Sequence, residues 1–319
     1  MKISRNDPWL APLAGFSDLP FRLLCREYGC SVACTEMVSV KGLIYESPGT
    51  TKLLQTRQED SPLVVQLFGA DPVYFREALS RLLEQGFTSF DLNAGCPVKK
   101  VVKTGAGAAL LNNLDLLFEI VRDMVALAGP KMVGVKLRTG WDEGSRLEPD
   151  VFSELERQGA GWITLHPRTV RQGFSGKADW DRIRIVQEQV QIPVIASGDL
   201  FTAEDGVECL QQTRAAGVMF GRGAMYDPMI FARFRKLMKG ADQGVDSEKN
   251  RAGSLQEMIF RHVQLCLQSQ DAWRSFLKMR TIIPRYLKGF QGAKELRKSI
   301  VACKSWEELM ELVGNSGFR

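Results

Sequence analysis

Among the residues whose type and spacing could do chemistry, a cysteine in a Gly–Cys–Pro turn comes first. Cys96 lies in FDLNAGCPVKKVVKTGAGAALL, residues 90–111, where Gly95 and Pro97 bracket the thiol just past a strand-like run. Such a turn exposes the sulfur. An ordinary thiol, with a pKa of about 8.5, is mostly protonated at neutral pH, so Cys96 can act as an acid as well as a nucleophile. Small and charged residues elsewhere suit an anion. Ser197, Gly198 and Asp199 close one strand-like segment, and Gly221, Arg222 and Gly223 close another. A phosphate needs several backbone N–H donors brought close, which small residues and a following helix start provide. Gly221 and Gly223 alone would be ordinary turn glycines; paired with Ser197 and Gly198 they point to a phosphate.

Lys136 stands in VGVKLR, where strand alternation turns it to the same face as Arg138, with Gly134 leaving room beside it. A lysine held there needs an anion. The residues leave three options open: the electron-rich ring of a reduced flavin, Schiff-base chemistry, or an ion pair with an acid such as Glu36. His166 is equally ambiguous, since a lone histidine can simply be a satisfied core residue.

Short β-branched runs alternate with amphipathic stretches over the first 240 residues, the mark of repeated βα units on a parallel sheet. Eight strands are expected, beginning near Trp9, Ser31, Pro62, Ser89, Lys131, Trp162, Ile192 and Ala216. Between them lie helical patterns such as PVYFREALSRLLEQG from Pro72 and LDLLFEIVRDMVALAG from Leu114, each with a Gly stop. Eight units in this length fit an α/β fold of the (β/α)8 TIM-barrel type better than a doubly wound sheet. The barrel would span 1–239, a polar linker 240–253 and a small all-helical C-terminal domain 254–319, with Pro284 marking a kink or break. Active sites of such barrels lie at the C-terminal strand ends. There the sequence places Gln66, Asn93, Cys96, Lys136, Arg138, His166, Arg168, Ser197 and Arg222.

The 319 residues carry seven cysteines without a Cys-x-x-Cys pair and only two histidines. Most of the cysteines should therefore be buried apolar residues, and no metal is expected. No apolar run is long enough to span a membrane, and the first residues lack a signal core, so a cytoplasmic location and no membrane partner are expected. The net charge of +5 is uneven. Between Arg261 and Lys304 stand ten Lys or Arg against Asp271 and Glu295, which leaves +8 on that segment alone. It is either a solvated helix surface or the footprint of a polyanion.

Taken together, the quoted stretches resemble the tRNA-dihydrouridine synthase family over nearly the whole barrel and into the C-terminal region. APLAG at 11–15, SDLPFR at 17–22, TEMVS at 35–39 and VQLFG at 65–69 come first, followed by the stretch around Cys96. KLRTGW at 136–141, HPRT at 166–169, SGDLFT at 197–202 and FGRGA at 220–224 complete the order. The resemblance implies FMN at the barrel mouth, with Pro12, Leu13 and Ala14 beside the ring and Gln66, Lys136 and His166 contacting ring and ribityl chain. Ser197, Gly198, Asp199, Gly221 and Arg222 would hold the phosphate. Asn93, Arg138 and Arg168 would meet the substrate. NADPH or NADH would reduce the flavin, whose N5 would pass hydride to C6 of a tRNA uridine while Cys96 protonates C5.

Arg274, Lys278, Lys288, Lys294, Arg297 and Lys298 would hold the tRNA, and a monomer is expected. Departures from the family pattern are mostly C-terminal. Ile282 and Arg285 stand where a histidine and a tryptophan are expected, which resembles the C-type branch most and leaves the modified position open. Two other readings compete. A related flavin barrel acting on a free pyrimidine would not need the basic extension, and a non-catalytic RNA-binding protein would not need the polar strand ends.

Overall fold

The computed structural model describes residues 3–240, 248–269, 271–290 and 292–315. Nine parallel strands are found among them: β1 Trp9–Leu10, β2 Val32–Cys34, β3 Val38–Ser39, β4 Leu63–Phe68, β5 Phe90–Ala94, β6 Val133–Arg138, β7 Trp162–His166, β8 Val194–Ser197 and β9 Gly217–Phe220. β1 pairs with β2 on one side and β9 on the other, β2 pairs with β4, and β4 to β9 pair in succession. Eight strands thus close into the expected barrel. β3 is a two-residue addition on the rim of β4, too short to show a period in sequence.

The strands alternate as a closed barrel requires. Leu92, Ala94, Val135, Leu137, Ile163 and Leu165 point outward into the layer of helices. Trp9, Val32, Cys34, Val64, Trp162, Ile195 and Met219 point inward and form a separate apolar plug. Trp162 fits only because residue 134 has no side chain: a Cβ there would lie 2.0 Å from Trp162 Cε2. Gly134 makes room for the indole below, not for the neighbouring lysine. With the lower barrel filled by apolar rings, the polar inward residues Gln66, Asn93, Lys136, His166 and Ser197 gather at the C-terminal rim.

Helix boundaries follow local chemistry. Pro72–Glu84 begins with Pro72 at its first position and the Asp71 carboxylate accepting from the Val73 amide. Leu114–Ala128 is capped by Asn113 and stopped by Gly129 at φ +90°.

Four helices follow the barrel: Glu248–Leu267, Ala272–Tyr286, Ala293–Ala302 and Trp306–Gly314. The first packs on the helix Leu19–Glu27 and the second on the short helix Arg222–Tyr226, so this region sits beside the barrel mouth. Two expectations change here. Residues 241–247 of the expected linker lie outside the described residues, but helix has already begun at Glu248, so the linker does not extend to 253. Pro284 does not break the chain's helical course. It lies inside Ala272–Tyr286, where it removes one i→i−4 bond just before the helix ends.

A buried ion pair fixes the loop between β1 and Leu19–Glu27 at the mouth. Arg22 is 1% exposed and Asp60 0%. Arg22 Nε donates to Asp60 Oδ2 at 2.9 Å, Nη1 to the Ser17 carbonyl at 2.7 Å and Nη2 to the Gln55 carbonyl at 2.7 Å. Ser17 Oγ in turn accepts from the Leu13 amide at 2.9 Å. Removing one partner would strand a buried charge, so Asp60→Ala should lower stability by about 3–5 kcal/mol in urea unfolding. A loss below about 1 kcal/mol would show that the pair does not hold this loop.

Candidate active site

The rim residues enclose a cavity of about 270 Å³. Pro12, Leu13, Ala14, Gln66, Asn93, Cys96, Lys136, Arg138, His166, Ser197, Gly198, Asp199, Gly221 and Arg222 all line it, which brings together all but one of the barrel residues expected at the site. Arg168 is the exception. It is 1% exposed and does not line the cavity. Its guanidinium grips both Asp199 oxygens at 2.7 and 2.6 Å and the carbonyls of Ser175 and Gly176 at 3.1 and 2.6 Å. Arg168 thus ties the loop after β7 to the end of β8 from behind the cavity wall.

Asp199 is shared. Oδ1 also accepts from Arg222 Nη2 at 3.0 Å, and Oδ2 accepts from the Ala178 amide at 2.8 Å. Burial raises the pKa of this carboxyl, but the Arg168 hydrogen bonds, the Ala178 amide and the two guanidinium charges outweigh it and hold it below the usual carboxylate range. It lines the cavity and, paired with both guanidinium groups, orients Arg222 there. Arg222 is further held between two exposed aromatics, its guanidinium carbon 4.2 Å from the Phe174 ring centre and 4.6 Å from that of Phe201. Gly198, at φ +104°, belongs to the same corner; a Cβ there would meet His166 Cδ2 at 2.6 Å.

Opposite lies Cys96, the one thiol among the seven that is not buried. Asn93 Oδ1 accepts from the amides of Gly95 and Cys96 at 3.1 and 2.9 Å. Asn93, expected at the substrate, does line the cavity, but its amide is occupied in shaping the Cys96 turn. Arg138 likewise spends Nε on the Gly95 carbonyl at 3.2 Å and Nη1 on the carbonyls of Thr169 and Gly173, both at 2.9 Å.

Electrostatics at the rim are dominated by cations out of water. Burial first, then the charges of Lys136, Arg138, Arg168 and Arg222, push the His166 pKa down to about 2, and its Nε2 is buried without a hydrogen-bond partner. Burial together with Arg168 and Arg222 brings Arg138 down to about 10. Lys136 is lowered by burial, and the carboxylate acting most strongly to keep it charged is Asp91, one layer deeper on β5. Glu36 is not that partner; its carboxylate accepts from the Gly15 amide. Cys96 is raised by burial, only partly offset by the Val98 amide, Arg138 and Lys136, and so stays protonated at neutral pH.

The sequence reading missed Met37, Phe174, Phe201 and Asp91. The first three come from loops without periodicity, and Asp91 lies below the rim. Among the described residues no three His, Cys, Asp or Glu side chains gather as a metal site, and no helix is long and apolar enough to cross a membrane.

The basic residues of the C-terminal helices are divided. Arg274, Lys288, Lys294 and Lys298 are exposed, although Lys288 also lies 4.7 Å over the Tyr226 ring and Lys298 pairs with Glu295 at 2.9 Å. Lys278 is taken up by Asp18 at 2.5 Å, and Arg297 by the Leu287 carbonyl at 3.3 Å. Arg274 and Lys278 line a second cavity, between the mouth loops and the helices, with Asp18, Glu36 and Lys52. Ile282 is buried, and the Arg285 guanidinium stacks on Phe16 at 4.8 Å.

Comparison with known proteins gives a consistent result. The family model described as dihydrouridine synthase (Dus) matches residues 9–315. A probable tRNA-dihydrouridine synthase 1 of Synechocystis is 34% identical over 307 residues, covering 95% of this chain and 84% of that protein. The tRNA-dihydrouridine synthase B of Pasteurella multocida is 32% identical over 315 residues, covering 98% and 93%. Among solved structures, morphinone reductase superposes with a TM-score of 0.52 at 13% identity, covering 74% of this chain and 86% of that one. A variant of NCR from Zymomonas mobilis gives 0.52 at 16% identity, covering 78% and 93%, and both share the barrel fold.

His166, held near 2, and His262, held near 4 by burial, should both remain neutral across the working pH range. They are the only histidines in the chain. Imidazole proton shifts followed by NMR should therefore show no folded-state titration between pH 5.5 and 8; a midpoint near 6.5 for His166 would mean that the rim is far better hydrated than this geometry allows.

Proposed function

The chain belongs to the dihydrouridine synthase family, and from that premise we propose that it reduces a uridine of tRNA to 5,6-dihydrouridine, with FMN at the barrel mouth and NADPH or NADH as reductant. One observation carries the cofactor reading. Lys136, Arg138, Arg168 and Arg222 crowd a poorly hydrated rim whose principal carboxylates are Asp91 and Asp199, so the cavity carries surplus positive charge. An anionic group with a phosphate and an electron-rich ring offsets it.

The donor set suits such a group. Arg222 is pre-aimed by Asp199 and stands beside Gly221, and the missing side chain of Gly198 lets His166 pack against that corner. The unpartnered His166 Nε2 and the Lys136 ammonium face the same cavity. Pro12, Leu13 and Ala14 provide a wall from β1, and Gln66 and Ser197 complete the ring of polar atoms. With FMN held by these residues and reduced by the nicotinamide, the site would have a source of hydride for C6 of the uracil.

Cys96 then does the proton chemistry. Its thiol is kept protonated by burial, and the pair left behind as its proton moves to C5 is stabilised by Arg138 and Lys136. One S–H bond breaks, one C–H bond forms at C5, and the thiolate recovers its proton from solvent. Arg274, Lys288, Lys294 and Lys298 provide positive charge on the helices beside the mouth. They can hold RNA phosphates while the target base turns inward.

Cys96→Ala should retain flavin and oxidise NADPH at the parental rate yet slow dihydrouridine formation by about 10²–10⁴-fold, the usual contribution of a positioned acid. Parental tRNA reduction by that variant would make Cys96 a turn residue only. Binding to tRNA should weaken steeply with salt, with a logarithmic slope of about −0.7 to −0.9 for each phosphate contact. Reversing charge at Arg274, Lys288 and Lys298 together should raise the tRNA KM and flatten that slope while flavin content stays unchanged. If affinity and slope are unmoved, these helices are a solvated surface and the free-pyrimidine reading returns.

A further inference from the structure

Beneath the rim, a chain of hydrogen bonds leads from the barrel interior to the Cys96 turn. Asp91, 1% exposed on β5, accepts from Gln66 Nε2 at 2.8 Å through Oδ2. Gln66 Oε1 accepts from Asn93 Nδ2, also at 2.8 Å. Asn93 Oδ1 accepts from the Cys96 amide at 2.9 Å and the Gly95 amide at 3.1 Å. Gln66 is 1% exposed and Asn93 7%, so water cannot readily replace a lost partner. β4 and β5 bring the three side chains into line, because Gln66 is in register with Asp91 and alternation returns Asn93 to the same inward face.

We propose that Asp91 is a positioning residue, which sets the Cys96 turn through the amides of Gln66 and Asn93. The polarity of the chain is the argument. An amide side chain has a donor end and an acceptor end, and nothing in its shape prefers one orientation. An ionised carboxylate only accepts. It therefore obliges Gln66 to present Nε2 downward and Oε1 upward, and Oε1 obliges Asn93 to present Nδ2 to it. Oδ1 of Asn93 is thereby left facing the two turn amides. Without an acceptor at position 91, Gln66 can flip, Asn93 follows, and an NH2 group faces the N–H groups of Gly95 and Cys96.

The site explains why a carboxylate is tolerated there. Burial raises the Asp91 pKa to about 7, opposed by the Gln66 hydrogen bond, the Lys136 charge and the Trp162 indole, so the accept-only carboxylate that orients the chain is the form present above neutral pH. Asp91 is also the principal carboxylate acting on Lys136, so one buried acid serves both the lysine and the cysteine. The inference rests on the proposed uridine reduction only for what the placement of Cys96 serves; the placement itself is a property of the folded chain.

The test uses the purified protein and iodoacetamide, with no tRNA or reductant. Alkylation of Cys96 is followed by peptide mass spectrometry at one constant pH above 7, where Asp91 is ionised, with thermal unfolding as a check on folding. The other six cysteines are buried, so the signal belongs to Cys96. Asp91→Leu removes the acceptor and should speed alkylation roughly three- to tenfold, the factor worth one ordinary hydrogen bond holding the turn. Asp91→Asn keeps an oxygen that can accept from Gln66 but no longer obliges that orientation, so its rate should fall between the parental rate and that of Asp91→Leu. Asn93→Ala should speed alkylation as Asp91→Leu does, and adding Asp91→Leu to it should change nothing further.

Parental rates in folded Asp91→Leu, equal rates in the Leu and Asn variants, or additive effects with Asn93→Ala would each overturn the relay. Should Asp91→Leu not fold, Gln66→Leu cuts the same chain one link higher and carries the same expectations against Asn93→Ala. Because tRNA is absent, a failed relay and a failed uridine reduction give separate results.

Discussion

Positive charge held out of water is the constraint on which this site depends. Lys136, Arg138, Arg168 and Arg222 reach the C-terminal rim from β6 and from the segments after β7 and β9, and desolvation penalises each ion placed there. The chain answers with few carboxylates and many carbonyls. Asp199 receives both Arg168 and Arg222, Asp91 lies under Lys136, and Arg138 is met by the carbonyl dipoles of Gly95, Thr169 and Gly173 and by the Phe174 ring at 5.7 Å. His166 has to stay neutral in that field, which leaves a ring nitrogen unpaired beside the cavity. A site so arranged favours an anionic occupant before any chemistry begins.

The same charges bear on Cys96 in the opposite sense. Burial holds its proton on, and Arg138 and Lys136 lower the cost of letting it go. A donor that is protonated at rest yet next to cations is suited to giving a proton to a carbon that has gained electron density. The barrel keeps these groups in place because its lower interior is filled by Trp9, Trp162 and their neighbours, which leaves the inward side chains of the rim little freedom.

Much of this was legible in the sequence, and the parts that were not have physical reasons. All eight barrel strands begin within a few residues of their expected starts, because β-branched runs bounded by helical periods are a strong local signal. Strand ends also revealed which residues would share a cavity. What they could not reveal is which way a long side chain turns. Arg168 and Arg138 look alike on paper, yet one ties loops together behind the site and the other lines it. Lys278 counts as a free cation in sequence and is paired with Asp18 in the fold, a contact 260 residues apart. Asp91 escaped notice because it lies one layer below the strand end, and Pro284, expected at a kink or break, lies inside a helix because it comes so near the end that only one bond is lost.

The most direct test of the account is the fate of one tRNA uridine. Purified protein, supplemented with FMN, should be incubated with unmodified tRNA and NADPH or NADH, and the tRNA then digested and its nucleosides weighed by mass spectrometry. The account predicts a gain of two hydrogens at a defined uridine, dependent on both flavin and nicotinamide. Flavin-loaded protein that consumes the reductant with free uracil or dihydroorotate, while leaving every tRNA uridine unchanged, would contradict it.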